Sequence, residues 1–241
     1  MARPEPSHPP RITSDHLGSA DWSSTMRIGI LGTGRMATTL GGAWVAAGHD
    51  VLVGGRDLAA AAATAARIGA AGHGALRDAA SYGEAVLAAV PADAAAELVK
   101  SLAKDLTGRV VIDCTNPIVP TDDGVTLSTG GTTSIARRMV EAAPDAYVVK
   151  AFNLCHESIW TLSPPLFEGE PLAVPLCADD PASLELVSRL VTSMGCTPMP
   201  CGGLSRAVHL ESTAAFAIGA WWSGAEPRFA FPTPGQSPQP A

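Results

Sequence analysis

The segment Met26–Asp57 constrains this chain most, because its pattern fits a strand, a tight turn, a helix and a second strand. Arg27–Leu31 is a short apolar and β-branched run that predicts a buried strand. A helical pattern follows to about Ala47 and ends at Gly48, and Val51–Val53 predicts the second strand. The chain therefore opens with a β-α-β unit of the kind that builds parallel sheets.

The turn of this unit has the spacing G-x-G-x-x-A between Gly32 and Ala37. Gly32 permits a tight turn, Gly34 lets a pyrophosphate approach the backbone, and Ala37 is small enough for the helix to pack on the sheet. Free N–H groups and the positive end of the helix dipole then attract the phosphates. The pattern predicts a Rossmann-type dinucleotide site.

The end of the second strand bears on which dinucleotide binds. NAD-binding proteins usually place an acidic residue there, bonded to the ribose 2′-hydroxyl. Here the strand ends in Gly54 and Gly55, and the cationic Arg56 follows, which suits a 2′-phosphate. We expect Asp57 to cap the next helix, Leu58–Ile68. The sequence favours NADP over NAD, although NAD stays open if Asp57 reaches the ribose.

Composition excludes several classes of protein. The 241 residues are 46% hydrophobic, which is enough for one substantial core. A net charge of −7 without a basic stripe argues against nucleic-acid binding. The five cysteines form no C-x-x-C pair, so we predict buried, reduced thiols in a cytoplasmic protein and no metal site. Residues 1–25 and 232–241 are predicted to be disordered, and no apolar run suits a signal peptide or a membrane span.

Strands and helices alternate along the rest of the chain. The further predicted strands are Glu84–Val90, Arg109–Cys114, Ala146–Ala151, Leu172–Cys177 and Thr197–Pro200. The further predicted helices are Ala92–Lys104, a helix from Gly130–Thr133 to Ala143, Asp180–Met194 and Leu204–Trp222, with a loop around Asp122, Asp123 and Gly124. This alternation predicts an α/β fold with a doubly wound, largely parallel sheet and a small C-terminal α/β extension. We assign 26–153 to the Rossmann domain and 154–231 to a C-terminal segment packed on it.

Ligands of such sheets bind outside the carboxyl ends of the strands. The segments that follow the predicted strands should therefore share one cleft. They are Gly32–Met36, Gly55–Arg56, Val90–Pro91, Asn116–Pro117 and Phe152–Asn153.

No acid/base constellation stands out in the sequence, and we name no catalytic residue. His156, Glu157, His209 and Glu211 are interpreted as surface or helix-packing residues, and Lys150 is expected to pair with a carboxylate. Hydride transfer between two redox cofactors needs positioning rather than a protein proton donor. The pattern therefore favours a flavin-like hydride acceptor over an alcohol substrate.

Six motifs occur in an order typical of one family. From Met26 to about Phe231, the chain resembles the coenzyme F420-dependent NADP oxidoreductases. The motifs are M-R-I-G-I-L-G-T-G, G-H-D-V-L-V-G-G-R, A-V-P, V-V-I-D-C-T-N-P, V-V-K-A-F-N and G-G-L-S-R-A-V-H-L-E.

The resemblance implies NADP(H) in the cleft, with the deazaflavin coenzyme F420 as co-substrate stacked on the nicotinamide beneath the C-terminal segment. Hydride would pass directly between the two rings. By position, the resemblance implies a pyrophosphate contact for Thr33, Gly34, Arg35 and Met36, and a 2′-phosphate contact for Gly55 and Arg56. It also implies that Val90, Pro91, Asn116 and Pro117 border the path to the nicotinamide, and that Ala151, Phe152 and Asn153 lie near the reacting rings.

The sequence departs from the family pattern on the acceptor side, at Leu154–His156 and Val208, and at the 2′-phosphate, at Gly55 and Ala60. Two other functions therefore stay open: an NADPH-dependent reductase of a small imine or carbonyl compound, and a non-catalytic NADP(H)-binding module. The partner is expected to be a small molecule. A homodimer through the apolar last helix is also left open.

Overall fold

The computed structural model describes residues 25–122 and 124–227. The predicted disorder at 1–24 and 232–241 and the placement of Asp123 lie outside these residues. The strands are β1 Arg27–Leu31, β2 Asp50–Gly55, β3 Gly72–Ala75, β4 Ala85–Ala88, β5 Val110–Asp113, β6 Ile118–Thr121, β7 Gly124–Leu127, β8 Tyr147–Lys150, β9 Leu166–Phe167, β10 Glu170–Pro171, β11 Ala173–Ala178 and β12 Thr197–Pro200. The helices are α1 Arg35–Ala46, α2 Leu58–Ile68, α3 Leu76–Tyr82, α4 Ala92–Ser101, α5 Ile135–Ala142, α6 Pro181–Ser193 and α7 Ala207–Trp222.

Within the described residues, eight strands form one sheet in the order β12-β11-β8-β5-β4-β1-β2-β3. The six strands from β8 to β3 are parallel, as predicted. β11 runs antiparallel to β8, and β12 runs parallel to β11. The C-terminal extension therefore continues the same sheet, and the α/β fold with a mostly parallel sheet is confirmed.

Helices cover both faces of the sheet, which explains why the central strands are apolar on both sides. Ile28 and Ile30 of β1 belong to one buried cluster, together with Trp44 of α1. Leu31 of β1 belongs to a second cluster, together with Met139 of α5. The post-strand turns of the parallel strands consequently lie at one edge of a rigid, doubly covered layer.

Two elements at one edge of the sheet, β3 and α3, were missed by the sequence prediction. β3 consists of Gly72, His73, Gly74 and Ala75, which have low strand propensity, and it forms because β2 presents an unpaired edge. α3 follows directly, and its N-terminus is stabilised by Asp78, whose Oδ2 accepts a hydrogen bond from the Ala75 N–H at 2.8 Å.

Other elements correct the predicted boundaries. The loop predicted around Asp122 and Gly124 is the turn of an antiparallel hairpin formed by β6 and β7. The helix predicted from Gly130 begins only at Ile135, because Gly130 and Gly131 have φ angles of 63° and 70° that an α-helix cannot include. β4 is shorter than Glu84–Val90, and the closing helix starts with a 3₁₀ turn at Leu204–Arg206 before α7 begins. In the described part of the chain, no helix is long and apolar enough to cross a membrane.

Candidate active site

Two glycines with different roles shape the turn between β1 and α1. Gly32 has a φ of 125°, and a Cβ there would lie 2.3 Å from the Ala89 carbonyl oxygen. A Cβ on Gly34 would have no atom within 4 Å, so this position borders open space. Gly34 also precedes α1 without a side-chain cap, which leaves helix N–H groups available to an anion. The turn fits a pyrophosphate group.

The end of β2 lies directly beside this turn. The Gly32 N–H donates to the Gly54 carbonyl oxygen at 2.9 Å, and a Cβ on Gly55 would lie 3.0 Å from Thr33 Cγ2. Arg56 follows as an exposed residue and makes no hydrogen bond or ion pair with the described residues. The guanidinium is therefore available to a ligand beside the turn.

Asp57 is the N-cap of α2, as predicted. Its Oδ1 accepts hydrogen bonds from the N–H groups of Ala59 at 2.8 Å and Ala60 at 3.2 Å. Because this carboxylate is engaged by the helix, Arg56 is the ionic group that β2 offers to a nucleotide.

An ionic cluster stands at the mouth of the cleft. Glu157 accepts from Arg35 Nε at 3.1 Å and lies 3.2 Å from His156 Nε2. The Ser158 N–H donates to His156 Nδ1 at 3.3 Å, so the hydrogen-bond network assigns the proton of the neutral ring to Nε2, facing Glu157. Arg35 is 83% exposed and reaches the cleft already paired.

A layer of two amides joins the post-strand segments to α7. Asn153 Nδ2 donates to Asn116 Oδ1 at 2.9 Å and to the Leu210 carbonyl oxygen at 3.1 Å. Asn116 Nδ2 donates in return to the Asn153 carbonyl oxygen at 2.7 Å. Both amides line the cleft. We call this the amide layer: Asn116, Asn153 and the Leu210 carbonyl.

Phe152 turns the chain from β8 toward the amide layer. Its φ is 63°, a left-handed conformation that is unusual for a bulky residue. The ring is 2% exposed and packs edge-on against Trp44 and Trp160, at centroid distances of 5.7 and 5.3 Å. The aromatic packing holds this strained turn, and such strain is common beside functional sites.

A fully buried ionic layer is formed by Asp113, Lys150 and Glu211. Lys150 Nζ donates to Asp113 Oδ2 at 2.9 Å, to Glu211 Oε1 at 2.8 Å and to the Thr115 carbonyl oxygen at 2.5 Å. Asp113 Oδ1 also accepts from the Thr115 N–H at 2.8 Å and hydroxyl at 2.7 Å. Glu211 Oε1 accepts from the Ile135 N–H at 2.9 Å. The prediction that Lys150 pairs with a carboxylate is confirmed, and the structure supplies two.

The charges of this layer shift one another's ionisation. Burial lowers the pKa of Lys150, but Asp113 and Glu211 outweigh that effect and hold the pKa above its usual value. Burial raises the pKa of Glu211 despite the attraction of Lys150. Glu211 Oε2 is buried without a hydrogen-bond partner among the described residues. Glu211 is thus a core residue, and nothing in its helical spacing alone distinguished it from a surface carboxylate.

The far wall of the cleft is apolar and comes from the C-terminal part of α7. Ile218, Trp221 and Trp222 line it, and the two tryptophans are 42% and 64% exposed. The cleft has a volume of about 580 Å³. The sequence leaves open a homodimer through this apolar helix and does not place its aromatic residues on the cleft. Their position on the cleft depends on where α7 packs, which has no local signal.

The cleft brings together most of the predicted site residues. Its lining includes Gly34, Arg35, Met36, Val90, Pro91, Asn116, Phe152 and Asn153. Gly32, Thr33, Gly55 and Arg56 lie beside it at the turn described above. Pro117 and Ala151 are buried and do not line it. The ligand contacts of these residues remain predictions.

All five cysteines are free thiols. Cys114, Cys177 and Cys196 are buried as predicted, whereas Cys155 and Cys201 are partly exposed. Burial, with Asp113 nearby, raises the pKa of Cys114 to about 12, and burial raises that of Cys155 to about 11. These thiols are therefore poor nucleophiles at neutral pH. Across residues 25–122 and 124–227, no group of three or more His, Cys, Asp or Glu side chains could hold a metal ion.

The parallel sheet, the glycine turn and the cleft at the ends of the strands define an NAD(P)-binding oxidoreductase of the Rossmann type. The family model described as "NADP oxidoreductase coenzyme F420-dependent" matches residues 27–117, the part of the chain that carries β1 to β5. The resemblance seen in the sequence motifs is confirmed.

The chain is also similar to individual proteins. The metalloreductase STEAP3 of Rattus norvegicus is 28% identical over 195 residues, which are 81% of this chain but only 38% of that protein's length. A structure provisionally assigned as an F420-dependent NADP reductase, from Arthrobacter sp. FB24, is 26% identical with a TM-score of 0.74. It covers 83% of this chain and 96% of its own. A hypothetical protein from Sinorhizobium meliloti is also 26% identical, with a TM-score of 0.64 and coverage of 78% and 90%.

Proposed function

We propose that this protein transfers a hydride between NADP(H) and the deazaflavin coenzyme F420. The observation that carries the proposal is the apolar wall of Ile218, Trp221 and Trp222, which lines the same cleft as the amide layer. A flat heterocycle is suited to such a wall, because aromatic side chains offer large apolar faces for stacking. The family match supports the nucleotide half of the reaction.

NADP is the proposed nucleotide because of Arg56. Arg56 follows Gly55 beside the glycine turn and has no hydrogen-bond or ionic partner among residues 25–122 and 124–227, while Asp57 is engaged in capping α2. A guanidinium binds a phosphate through two parallel hydrogen bonds and has no comparable partner on a bare ribose. Gly55 leaves the adjoining backbone without a side chain. We propose that these residues hold the 2′-phosphate.

When bound, NADPH supplies the hydride and the deazaflavin accepts it. The protein's own contribution is to bind and orient. The glycine turn holds the pyrophosphate, the amide layer fixes the edge of the cleft, and the α7 wall keeps water from one face. Such positioning suffices for hydride transfer between two rings, since no proton has to be moved at the carbon centre by a side chain.

The test is to mix the purified protein with NADPH and oxidised coenzyme F420 and to follow the deazaflavin absorbance. We expect rapid bleaching with NADPH and little with NADH. If NADPH binds but no bleaching occurs, the acceptor is a different compound or the chain is a non-catalytic NADP(H)-binding module. If NADPH does not bind, the proposed function is wrong.

A second candidate function is the reduction of a small imine or carbonyl compound by NADPH. It is favoured by His156, which lines the cleft and carries its Nε2 proton toward Glu157. A carbonyl or imine reductase needs a proton donor of this kind. His156→Gln should abolish such an activity and leave deazaflavin reduction within about threefold, because the latter uses no protein acid.

We also propose a cytoplasmic protein and a homodimer that uses α7. The free thiols suit a reducing compartment. Trp222 is 64% exposed on α7, and large exposed apolar groups mark interaction sites. Light scattering of the wild type tests the dimer, and a monomeric wild type rejects it.

A further inference from the structure

Three segments that are distant in sequence are joined twice behind the cleft. The amide layer connects the segment after β5, the segment after β8 and α7 through Asn116, Asn153 and the Leu210 carbonyl. The ionic layer connects the ends of β5 and β8 to Glu211, the next residue of α7. The amide layer faces the cleft, and the ionic layer is fully buried.

Every donor of the Lys150 ammonium group is used within the ionic layer. The three ammonium protons of Lys150 meet three acceptors within 2.9 Å, and neither carboxylate can move without breaking one of these bonds. Burying three charges costs several kcal/mol per ion and often gives less stability than an apolar replacement. A layer of this kind is therefore better explained by the geometry that it imposes than by stability.

What the layer positions follows from its partners. Lys150 and Asp113 together hold the N–H, the hydroxyl and the carbonyl of Thr115, which lines the cleft beside Asn116. Glu211 lies near the start of α7, and the same helix continues to the wall residues Trp221 and Trp222. A shift of α7 at Glu211 is transmitted along a rigid helix to that wall.

We propose that Lys150 and Glu211 are positioning residues that set the distance between the amide layer and the α7 wall, and thereby the gap in which the two rings react. This inference rests on the proposed function for the identity of the rings. Neither residue is expected to contact a ligand. Their effect should appear in hydride transfer rather than in nucleotide affinity, because the glycine turn and Arg56 lie at β1 and β2, away from the ionic layer.

The experiment compares the wild type with Glu211→Leu, with the conservative Glu211→Gln, and with the triple variant Asp113→Asn/Lys150→Met/Glu211→Leu. The triple variant removes the charges together, so that no buried charge is left unpaired and the fold is retained. Glu141→Leu is the matched control, since Glu141 is an exposed carboxylate on α5. Each protein is measured for melting temperature, NADPH dissociation constant, turnover with coenzyme F420 and energy transfer from tryptophan to bound NADPH.

We expect Glu211→Leu to lower kcat by about 10- to 100-fold, the effect of a misplacement near 1 Å, with the NADPH dissociation constant within about threefold. The energy transfer that comes from the α7 tryptophans is the part that is lost in the double variant Trp221→Phe/Trp222→Phe. This part should differ between Glu211→Leu and the wild type. Glu211→Gln should recover part of the turnover, because its amide oxygen can still accept from Lys150. The triple variant should regain the melting temperature but neither the turnover nor the energy transfer.

Recovery of turnover and energy transfer together with stability in the triple variant would overturn the proposal, because the layer would then be only structural. If Glu211→Leu does not fold, Glu211→Gln and the triple variant carry the same comparison. If the wild type shows energy transfer to NADPH but does not reduce coenzyme F420, only the proposed acceptor is rejected. The positioning role of Lys150 and Glu211 is then decided by comparing energy transfer among the variants. If the wild type shows no energy transfer, the positioning proposal is rejected.

Discussion

The two halves of the cleft are built in different ways. The phosphate half, named for the ligand group that we propose for it, lies at the ends of β1 and β2 and consists of backbone and glycines. Arg56 adds one charge that has no partner among the described residues. The acceptor half, at the ends of β5 and β8, is assembled with α7 by two layers of side-chain hydrogen bonds. The first half is contiguous in sequence between residues 26 and 57. The second joins residues almost 100 positions apart.

This difference explains what each half can tolerate. A site made of backbone is insensitive to most substitutions except those that add a side chain where a ligand must lie. A site made of buried polar side chains depends on every partner, because each unpaired group loses its hydration without compensation. The acceptor half should therefore be the more fragile of the two.

The fragility of the acceptor half is tested most strongly by Lys150→Met. Removing the ammonium leaves Asp113 and Glu211 as unpaired buried charges, so we expect a loss of about 3–5 kcal/mol in the free energy of unfolding at pH 7.5. Because the folded-state pKa of Lys150 is raised above the ordinary 10.5, its contribution is complete below pH 10.5 and is lost as the pH rises further.

Urea unfolding between pH 7.5 and 11 checks this, and the difference between wild type and variant should shrink above pH 10.5. Lys100→Met is the control, since the side chain of Lys100 makes an exposed pair with Glu97, worth about 0–1 kcal/mol. A Lys150→Met protein as stable as the control would show that the ionic layer does not hold the acceptor half together.

The phosphate half is tested by a pair of glycine substitutions. The side chain of Gly34→Val extends into open space, so the melting temperature should stay within about 3 °C of the wild type. NADPH and NADH should both bind roughly 100-fold more weakly or worse, because each lost charge-assisted hydrogen bond costs about 1.5–3 kcal/mol. Gly32 has a positive φ, and the Cβ that Gly32→Ala adds would clash with the Ala89 carbonyl oxygen, so this substitution should instead lower the stability of the protein. Calorimetric titration and thermal melting separate the two, and unchanged nucleotide binding in Gly34→Val would refute the placement of the pyrophosphate.

A smaller effect is expected for Arg56→Ala. It should weaken NADPH binding by about 1.5–3 kcal/mol, or roughly 10- to 150-fold, and leave NADH binding nearly unchanged. Fluorescence titration with both nucleotides measures the ratio. Equal losses for NADPH and NADH would mean that Arg56 does not select the 2′-phosphate.

The smallest expected effect is at the mouth of the cleft. Glu157 pairs with Arg35 at 3.1 Å and places a negative charge near the glycine turn between β1 and α1. Glu157→Gln should remove this negative charge and tighten NADPH binding by about two- to fivefold, the scale of an exposed ion pair. The gain should decline at high salt. Weaker NADPH binding in this variant would indicate that Glu157 itself supports the nucleotide.

The same contrast decides what the sequence could predict. β1, the bounds of α2, its Asp57 cap and β12 were all predicted as they stand in the structure, because local periodicity and capping chemistry determine them. β3 was missed because its glycines have weak strand propensity, and it becomes a strand through the free edge of β2. The β6–β7 hairpin was missed because its strands are only four residues long and the residues between them predicted a loop.

The ionic layer marks the limit of sequence reasoning. Its three members stand in three of the quoted motifs, V-V-I-D-C-T-N-P, V-V-K-A-F-N and G-G-L-S-R-A-V-H-L-E. The pairing of Lys150 with a carboxylate was predicted, but Glu211 was interpreted as a surface or packing residue. The pairing of Glu211 with Lys150 could not be predicted, because only the packing of α7 on the sheet brings these two residues together. The position of the α7 tryptophans on the cleft could not be predicted for the same reason.

The most direct test of the account is a single turnover with NADPH that carries deuterium at the transferring position of the nicotinamide, in the presence of oxidised coenzyme F420. If both rings occupy the one cleft, mass spectrometry should find the deuterium on the reduced deazaflavin, with a primary isotope effect on the bleaching rate. Reduction without deuterium on the deazaflavin, or bound NADPH that is never oxidised, would contradict the account.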